Sequence, residues 1–273
     1  MKNINELKLH SLRIKKNFIK MYFRAKAGHI GSSLSCVDIL TYIYCNLHKG
    51  NDEVILSKGH AAAALYATLA EFGYLDLKDL NTFYQNGTLL GAHPPPNKLP
   101  YIPFATGSLG HGLSLSAGLG LGFRLKGSHN KVYCITSDGE LNEGSTWEAA
   151  LFINQQRLNN VIWFIDRNRL QGFGNTEDVL SLDSLTDKIS SFGFQVYEID
   201  GHSFEDFLDL TLDCPKINKP IAVICNTIKG NGWKRYENTV ASHYLPINQE
   251  DFNEFSLKID KELKSLKITE NEK

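Results

Sequence analysis

Residues 131–174 read KVYCITSDGELNEGSTWEAALFINQQRLNNVIWFIDRNRLQGFG, and their pattern decides the fold. KVYCITS (131–137) and NVIWFID (160–166) are short apolar runs with β-branched residues, bounded by polar ones. FQVYEID (194–200) and IAVICNT (221–227) share that form. Helical-looking stretches fill the intervals 145–158, 184–192 and 203–211. This alternation predicts right-handed crossovers and an α/β fold, a parallel sheet with helices on both faces. Ligands of open α/β sheets collect outside the carboxyl ends of the strands. Asp138 directly follows one predicted strand and Asn168 the next, so two side-chain oxygens can meet one hard cation there. Gly139 lets the backbone approach a phosphate, and a helix beginning near Ser145 can aim its positive end at the same place. Taken alone, Asp138-Gly139 is more simply a turn and Asn168 a strand-end cap, so the decision falls to the flanking segments.

Upstream, 4–27 carries Leu9, Leu12, Phe18, Ile19 and Tyr22 at approximately helical spacing and predicts a helix ended by Gly28. Further helices are predicted over 35–47 and from Ala61 to Gly73, and 81–103 reads as a long loop of the kind that is usually functional. The charged tail from Leu257, about 257–273, predicts a solvated or frayed end. The whole chain, 1–273, is expected to be a single domain with a helical N-terminal layer. Of its 273 residues 42% are hydrophobic and 22% charged, enough apolar content for a sizeable core. A formal net charge of −1 leaves no overall positive field for nucleic acid or an acidic membrane surface. The N-terminus is too polar for a signal peptide, and no apolar run reaches the roughly 18 residues of a membrane helix. Cys36, Cys45, Cys134, Cys214 and Cys225 lack CxxC spacing and read as reduced core residues of a cytoplasmic protein.

Four of the nine histidines follow glycine: His29, His60, His111 and His202. Histidine on glycine-flanked loops suits chemistry that moves protons near neutral pH. Gly107 to Gly122 holds six glycines in sixteen residues, without the preceding strand or GxGxxG of a dinucleotide fingerprint. Gly107-Ser108-Leu109 reads instead as a backbone loop against a ligand, Gly110 and Gly112 as a tight helix start, and Gly118, Gly120 and Gly122 as close helix packing.

AGHIGSSLSCVDIL (27–40), ILSKGHAAAALYATL (55–69), GAHP (91–94), FATGSLGHGLSLSAGLGLG (104–122), SDGELNEGSTWEAA (137–150) and IKGNGW (228–233) with His243 beyond it resemble, in this order, the N-terminal diphosphate-binding part of transketolase. The resemblance spans about Arg24 to His243 and implies the thiamine-diphosphate-binding fold. It implies that Asp138, Asn168 and the Leu170 carbonyl hold Mg²⁺, or a similar cation such as Ca²⁺ or Mn²⁺. It places Ser32, His60, Gly139, Lys229 and His243 at the diphosphate, and Gly107, Ser108 and Leu109 between thiazolium and diphosphate. His29, His60, His93 and His243 would line the channel over the cofactor, with His29 and His93 at the substrate's hydroxyls, while His111 and His202 stay structural. Glu143 corresponds to a carboxylate that couples paired active sites across the family's dimer.

Two local departures stand out: Ser137 replaces the first glycine of the family's Gly-Asp-Gly, and Arg169, read as solvent-facing, adds a cation beside the metal site. Full transketolases continue into a pyrimidine-binding domain, which carries the cofactor-activating glutamate, and a C-terminal domain. The resemblance is therefore to the N-terminal subunit of a split transketolase. It implies an α₂β₂ assembly with a separate C-terminal subunit, and sugar or sugar-phosphate substrates exchanging a two-carbon unit. The alternatives are another thiamine-dependent reaction on the same scaffold, as in deoxyxylulose-phosphate synthesis or on a specialised sugar, or a non-catalytic half.

Overall fold

The apolar runs Val132–Ser137, Val161–Arg167 and Ile221–Asn226 become central strands of one sheet because each is too uniformly hydrophobic to leave a face in water. The more polar run Gln195–Asp200 forms a partly exposed edge strand. The computed structural model describes residues 3–95, 99–210, 212 and 217–271. In chain order its elements are α1 (Ile4–Ala25), α2 (Ile30–Tyr42), β1 (Glu53–Leu56), α3 (Ala62–Glu71), α4 (Gly112–Leu125), β2 (Val132–Ser137) and α5 (Gly144–Gln155). There follow β3 (Val161–Arg167), α6 (Thr176–Val179), α7 (Leu185–Ser191), β4 (Gln195–Asp200), α8 (Phe204–Asp209), β5 (Ile221–Asn226), α9 (Ala241–Tyr244) and α10 (Gln249–Asn271). The strand order is β1-β2-β3-β5-β4, every pair parallel. The predicted sheet with helices on both faces is present. Alternate residues of β3 serve the two faces: Ile162 and Phe164 join a core under α1, α2 and α3, while Val161, Trp163 and Ile165 join one under α4 and α5.

The structure departs from the sequence reading in several places. β1 is an additional strand; its four residues are too few to display a period. α1 stops at Ala25, capped by Lys26 in the left-handed region (φ 49°) rather than at Gly28. Gly28 instead allows close approach: a Cβ there would stand 2.6 Å from the Tyr244 carbonyl oxygen. α2 begins earlier than predicted, at Ile30, and every residue of it is buried, which is why it has no polar face to betray its start. Gly112 at the start of α4 packs tightly on Ser57, and of the three later glycines Gly120 packs closely, against Val161, while Gly118 and Gly122 face open space. Cys36, Cys134 and Cys225 are buried and Cys45 is half-buried, while Cys214 lies outside the described residues. Among the described residues no helix is long and apolar enough to cross a membrane.

The charged tail from Leu257 is helical as far as Asn271, and its Leu257, Lys258, Lys261 and Glu262 are exposed as a solvated segment would be. Ile259 is buried, however, and the helix docks through the residues just before the tail. This tail is the end of α10, whose Phe255 is also buried, with Phe252 stacked 4.3 Å from Phe23 of α1. Phe255 also stacks on Trp233 at 4.5 Å, and Asp251 accepts hydrogen bonds from Tyr236 (2.7 Å) and Arg235 (2.7 Å). The first turns of α10, which the sequence reading left unassigned, thus clamp the loop following β5. The sparse apolar residues of the helix were masked by surrounding charge, but one narrow stripe is enough to dock it. Phe255→Ala is expected to cost about 3–5 kcal/mol of stability, the usual scale for emptying a buried aromatic site. Denaturant unfolding followed by tryptophan fluorescence measures it, and an undocked start of α10 would show no loss.

Candidate active site

Because all five strands run parallel, the segments leaving their carboxyl ends share one edge of the sheet. There they surround a cavity of about 270 Å³. Its lining includes His29, Ser32, His60, His93, Gly107, Leu109, Asp138, Gly139, Asn168, Leu170, Lys229 and His243, so twelve separately predicted residues meet. Ser108 and Glu143 do not line it; both are exposed, and Glu143 sits beside Gly110 at the start of α5. Ser137, Gln171, Gly172, Phe173 and Tyr244 complete the wall. No motif chemistry singled out Gln171, Phe173 or Tyr244.

Four histidines arrive by different routes. His29 precedes α2 in the left-handed region (φ 72°), its amide donating to the His243 carbonyl at 2.9 Å. His60 lies on the single turn between β1 and α3. His93 is placed by the 81–103 loop, whose Gly91 and His93 carbonyls both accept from the Tyr66 hydroxyl at 3.1 Å. Gly107 (φ 125°) lets that ring come close, since a Cβ there would meet His93 Cδ2. The rings of His29 and His243 are 4.8 Å apart, His29 and His60 5.5 Å, His60 and His243 5.5 Å, and His29 and His93 6.1 Å. His202 stays outside, its Nδ1 2.9 Å from Asp38 and its Nε2 accepting the Ile228 amide at 3.0 Å, and exposed His111 precedes α4.

The oxygen groups meet on the floor. Asp138 accepts from the amides of Gly139 (2.9 Å) and Arg169 (2.7 Å) and from the Thr176 hydroxyl (3.1 Å). Burial, with Asp166 nearby, raises its carboxyl to about 6. Asn168 Oδ1 accepts the Leu170 amide at 3.1 Å, and the Leu170 carbonyl accepts from Lys229 Nζ at 2.7 Å. Arg169 turns its side chain to solvent. Ser137 has room because its hydroxyl points into its own turn and accepts the Glu140 amide at 3.3 Å. Glu140 itself is fully buried and binds the Gly110 amide at 2.8 Å and the Ser57 hydroxyl, so it ties this turn to the glycine-rich loop.

The cavity favours a negative ligand. Burial, then the charge of Lys58, lowers the Lys229 ammonium to about 8. Burial likewise holds His29 at about 4 and His243 at about 3, helped by Lys229 in both, and pushes His60 and His93 down. Ser32 Oγ and His243 Nδ1 are buried without a hydrogen-bond partner. Buried polar atoms seldom stay unpaired, so these are places where a ligand oxygen would be held. Among the described residues no three His, Cys, Asp or Glu side chains are grouped to hold a metal. A cation here would rest on one carboxylate, one amide oxygen, one carbonyl and oxygens from elsewhere, an all-oxygen set that suits Mg²⁺.

Fold and cavity together define an α/β protein with a polar cavity at the carboxyl ends of its strands, where such folds bind ligands. Residues 18–271 match the family described as transketolase, thiamine diphosphate binding domain. Over 280 aligned residues the chain is 34% identical to one of the subunits of the apulose-4-phosphate transketolase of Phocaeicola vulgatus, covering 99% of both chains. It is 35% identical over 259 residues to a 6-deoxy-6-sulfo-D-fructose transketolase subunit of Clostridium sp., covering 91% of this chain and 94% of that one. The solved transketolase of Campylobacter jejuni superposes with a TM-score of 0.83 at 27% identity over 97% of this chain, which spans 48% of that protein. The chain belongs to the transketolase family and corresponds to its N-terminal, thiamine-diphosphate-binding part. The resemblance to a split-transketolase subunit is borne out, since relatives matched along nearly their full length are themselves named as subunits.

The depressed histidines carry a pH dependence. A histidine that ionises near 6.5 when unfolded but near 4 or 3 when folded favours the folded state only while neutral. The stability contributed by His29 and His243 is complete above about pH 6.5 and is lost as the pH falls from there toward 4 and 3. The melting temperature of the ligand-free chain is expected to drop over that window, and His29→Asn to flatten the drop. Scanning calorimetry at stepped pH measures both.

Proposed function

We propose that this chain is the N-terminal subunit of a split transketolase that moves a two-carbon unit from a ketose to an aldose, using thiamine diphosphate and Mg²⁺. The observation that carries this reading is the meeting of four neutral-leaning histidines and Lys229 above Asp138, Asn168 and the Leu170 carbonyl. When bound, thiamine diphosphate supplies the nucleophilic carbon and the electron sink for cleaving a carbon–carbon bond. Lys229, His60, His243 and the unpaired Ser32 hydroxyl would hold the diphosphate end, with Gly107, Leu109 and Gly139 giving backbone contacts. Asp138, Asn168 and Leu170 hold the cation. Lys229, whose ammonium is bonded to the Leu170 carbonyl, would turn to the diphosphate were a cation to take that carbonyl.

His29 and His93 stand on the outer side and orient substrate hydroxyls. Neutral imidazoles can accept and return protons there, a role charged ones could not fill at pH 7. The cavity is open on that side, where Phe173 is 88% exposed and Tyr244 55%. A C-terminal subunit that brings the pyrimidine-binding domain and its glutamate closes the site in an α₂β₂ assembly, in which Glu143 couples the paired centres. The relatives named for apulose-4-phosphate and 6-deoxy-6-sulfo-D-fructose favour an unusual ketose as donor over a deoxyxylulose-phosphate synthesis or a non-catalytic half. The chain would act in the cytoplasm, as its free Cys36, Cys45, Cys134 and Cys225 suggest.

Reconstitution with the candidate C-terminal subunit tests this reading. Two-carbon transfer is expected from the mixture and from neither chain alone. Asp138→Ala is expected to remove metal-dependent cofactor binding, whereas His93→Ala should keep binding and lower turnover by about 10²–10⁴-fold, the range for a lost proton-transfer group. Transfer unaffected by Asp138→Ala would contradict the metal assignment.

A further inference from the structure

Beneath the cavity lies a charged group that the reaction proposed above does not use. Lys58, the first lysine after β1, is wholly buried, as is Asp166 near the end of β3. Its ammonium donates to the Ser32 carbonyl at 3.1 Å, to Ser35 Oγ at 3.3 Å and to the Asp166 carboxylate. Those are the three donors a lysine has, so none is left for a ligand, and Lys58 does not line the cavity. Asp166 is held in turn by Ser35 Oγ at 2.6 Å and by the Thr227 hydroxyl just after β5. The pair therefore joins the exits of β1, β3 and β5 to the first turn of α2.

We propose that Lys58 is a positioning residue for the diphosphate end of the cavity: it fixes the Ser32 turn from below and supplies a positive field without touching what binds. This rests on the diphosphate reading of the pocket. Two features of the geometry carry it. Ser32, whose carbonyl Lys58 holds, is the residue whose hydroxyl is left buried and unpaired against the cavity. Ser57, the preceding residue, accepts the Gly112 amide at 3.0 Å and donates to Glu140, which holds the Gly110 amide. The Ser57-Lys58 pair thus braces the α2 turn on one side and the glycine-rich loop on the other.

The field follows from burial. The ammonium is sealed from water, so, though the paired Asp166 carboxylate offsets part of its charge, it still acts on Cys36, Glu140, His60 and His243. It disfavours protonation of His60 and His243, so those imidazoles stay available as proton acceptors. A lysine that served only as a strand staple would affect stability and nothing else.

The probe is inorganic pyrophosphate with Mg²⁺, titrated calorimetrically into the full chain, with histidine midpoints read by NMR. Lys58→Met alone strands a buried carboxylate and is expected to unfold readily. The informative variant is therefore the double substitution Lys58→Met with Asp166→Asn, which removes both charges together and need not cost stability. It is expected to bind pyrophosphate about tenfold more weakly or worse, equivalent to roughly 1.4 kcal/mol. The midpoints of His60 and His243 should rise toward the ordinary range while the fold persists. A folded double variant with unchanged affinity, or with unchanged histidine midpoints, overturns the assignment to Lys58. Wild-type protein that binds no pyrophosphate overturns instead the diphosphate reading on which this rests.

Discussion

Parallel pairing of five strands is the constraint from which the site follows. It sends every exit loop to one edge, so Lys58, Asp138, Asn168 and Lys229, far apart in the chain, become neighbours there. It also buries the central strands β2, β3 and β5 on both faces, which leaves polar exits surrounded by apolar material. Charge placed there is hard to screen. The Lys58–Asp166 pair is the most enclosed example, and it links three strand ends through side chains where no backbone ladder continues.

The same electrostatic setting explains how one small cavity can hold an anion and also move protons. Lys229 keeps its charge at neutral pH but at a cost, which a diphosphate would relieve. The histidines are kept neutral by burial and by the two lysines. Glu140 and Tyr66 hold the glycine-rich loop and the His93 segment from behind, so the groups facing the ligand are braced by groups that do not reach it. α10 extends this bracing by stacking Phe255 on Trp233, shortly after Lys229.

What could be read from the sequence was whatever repeats with a period or carries a motif. The long strands were legible as apolar runs, and twelve lining residues as parts of family-like segments. β1 was not, because Glu53–Leu56 is too short to show alternation. α10 was not, because its lysines and glutamates outnumber the residues that dock it. Lys58 stood in plain view inside SKGH, yet burial of a charge depends on partners more than a hundred positions away, such as Asp166, 108 residues on. Gly118 and Gly122 show the reverse error: small residues suggested packing, but their faces are open. Tyr244 and Phe173 at the rim carry no spacing signal at all.

The proposed chemistry turns on Asp138, Asn168 and the Leu170 carbonyl forming a cation seat beneath a diphosphate. A crystal of the chain grown with thiamine diphosphate and Mn²⁺, and examined by anomalous scattering, measures this directly. The expected result is one manganese peak within coordination distance of those three oxygens, with diphosphate density beside Lys229 and Ser32. Manganese bound elsewhere, or diphosphate density in the cavity with no metal between it and Asp138, would contradict it.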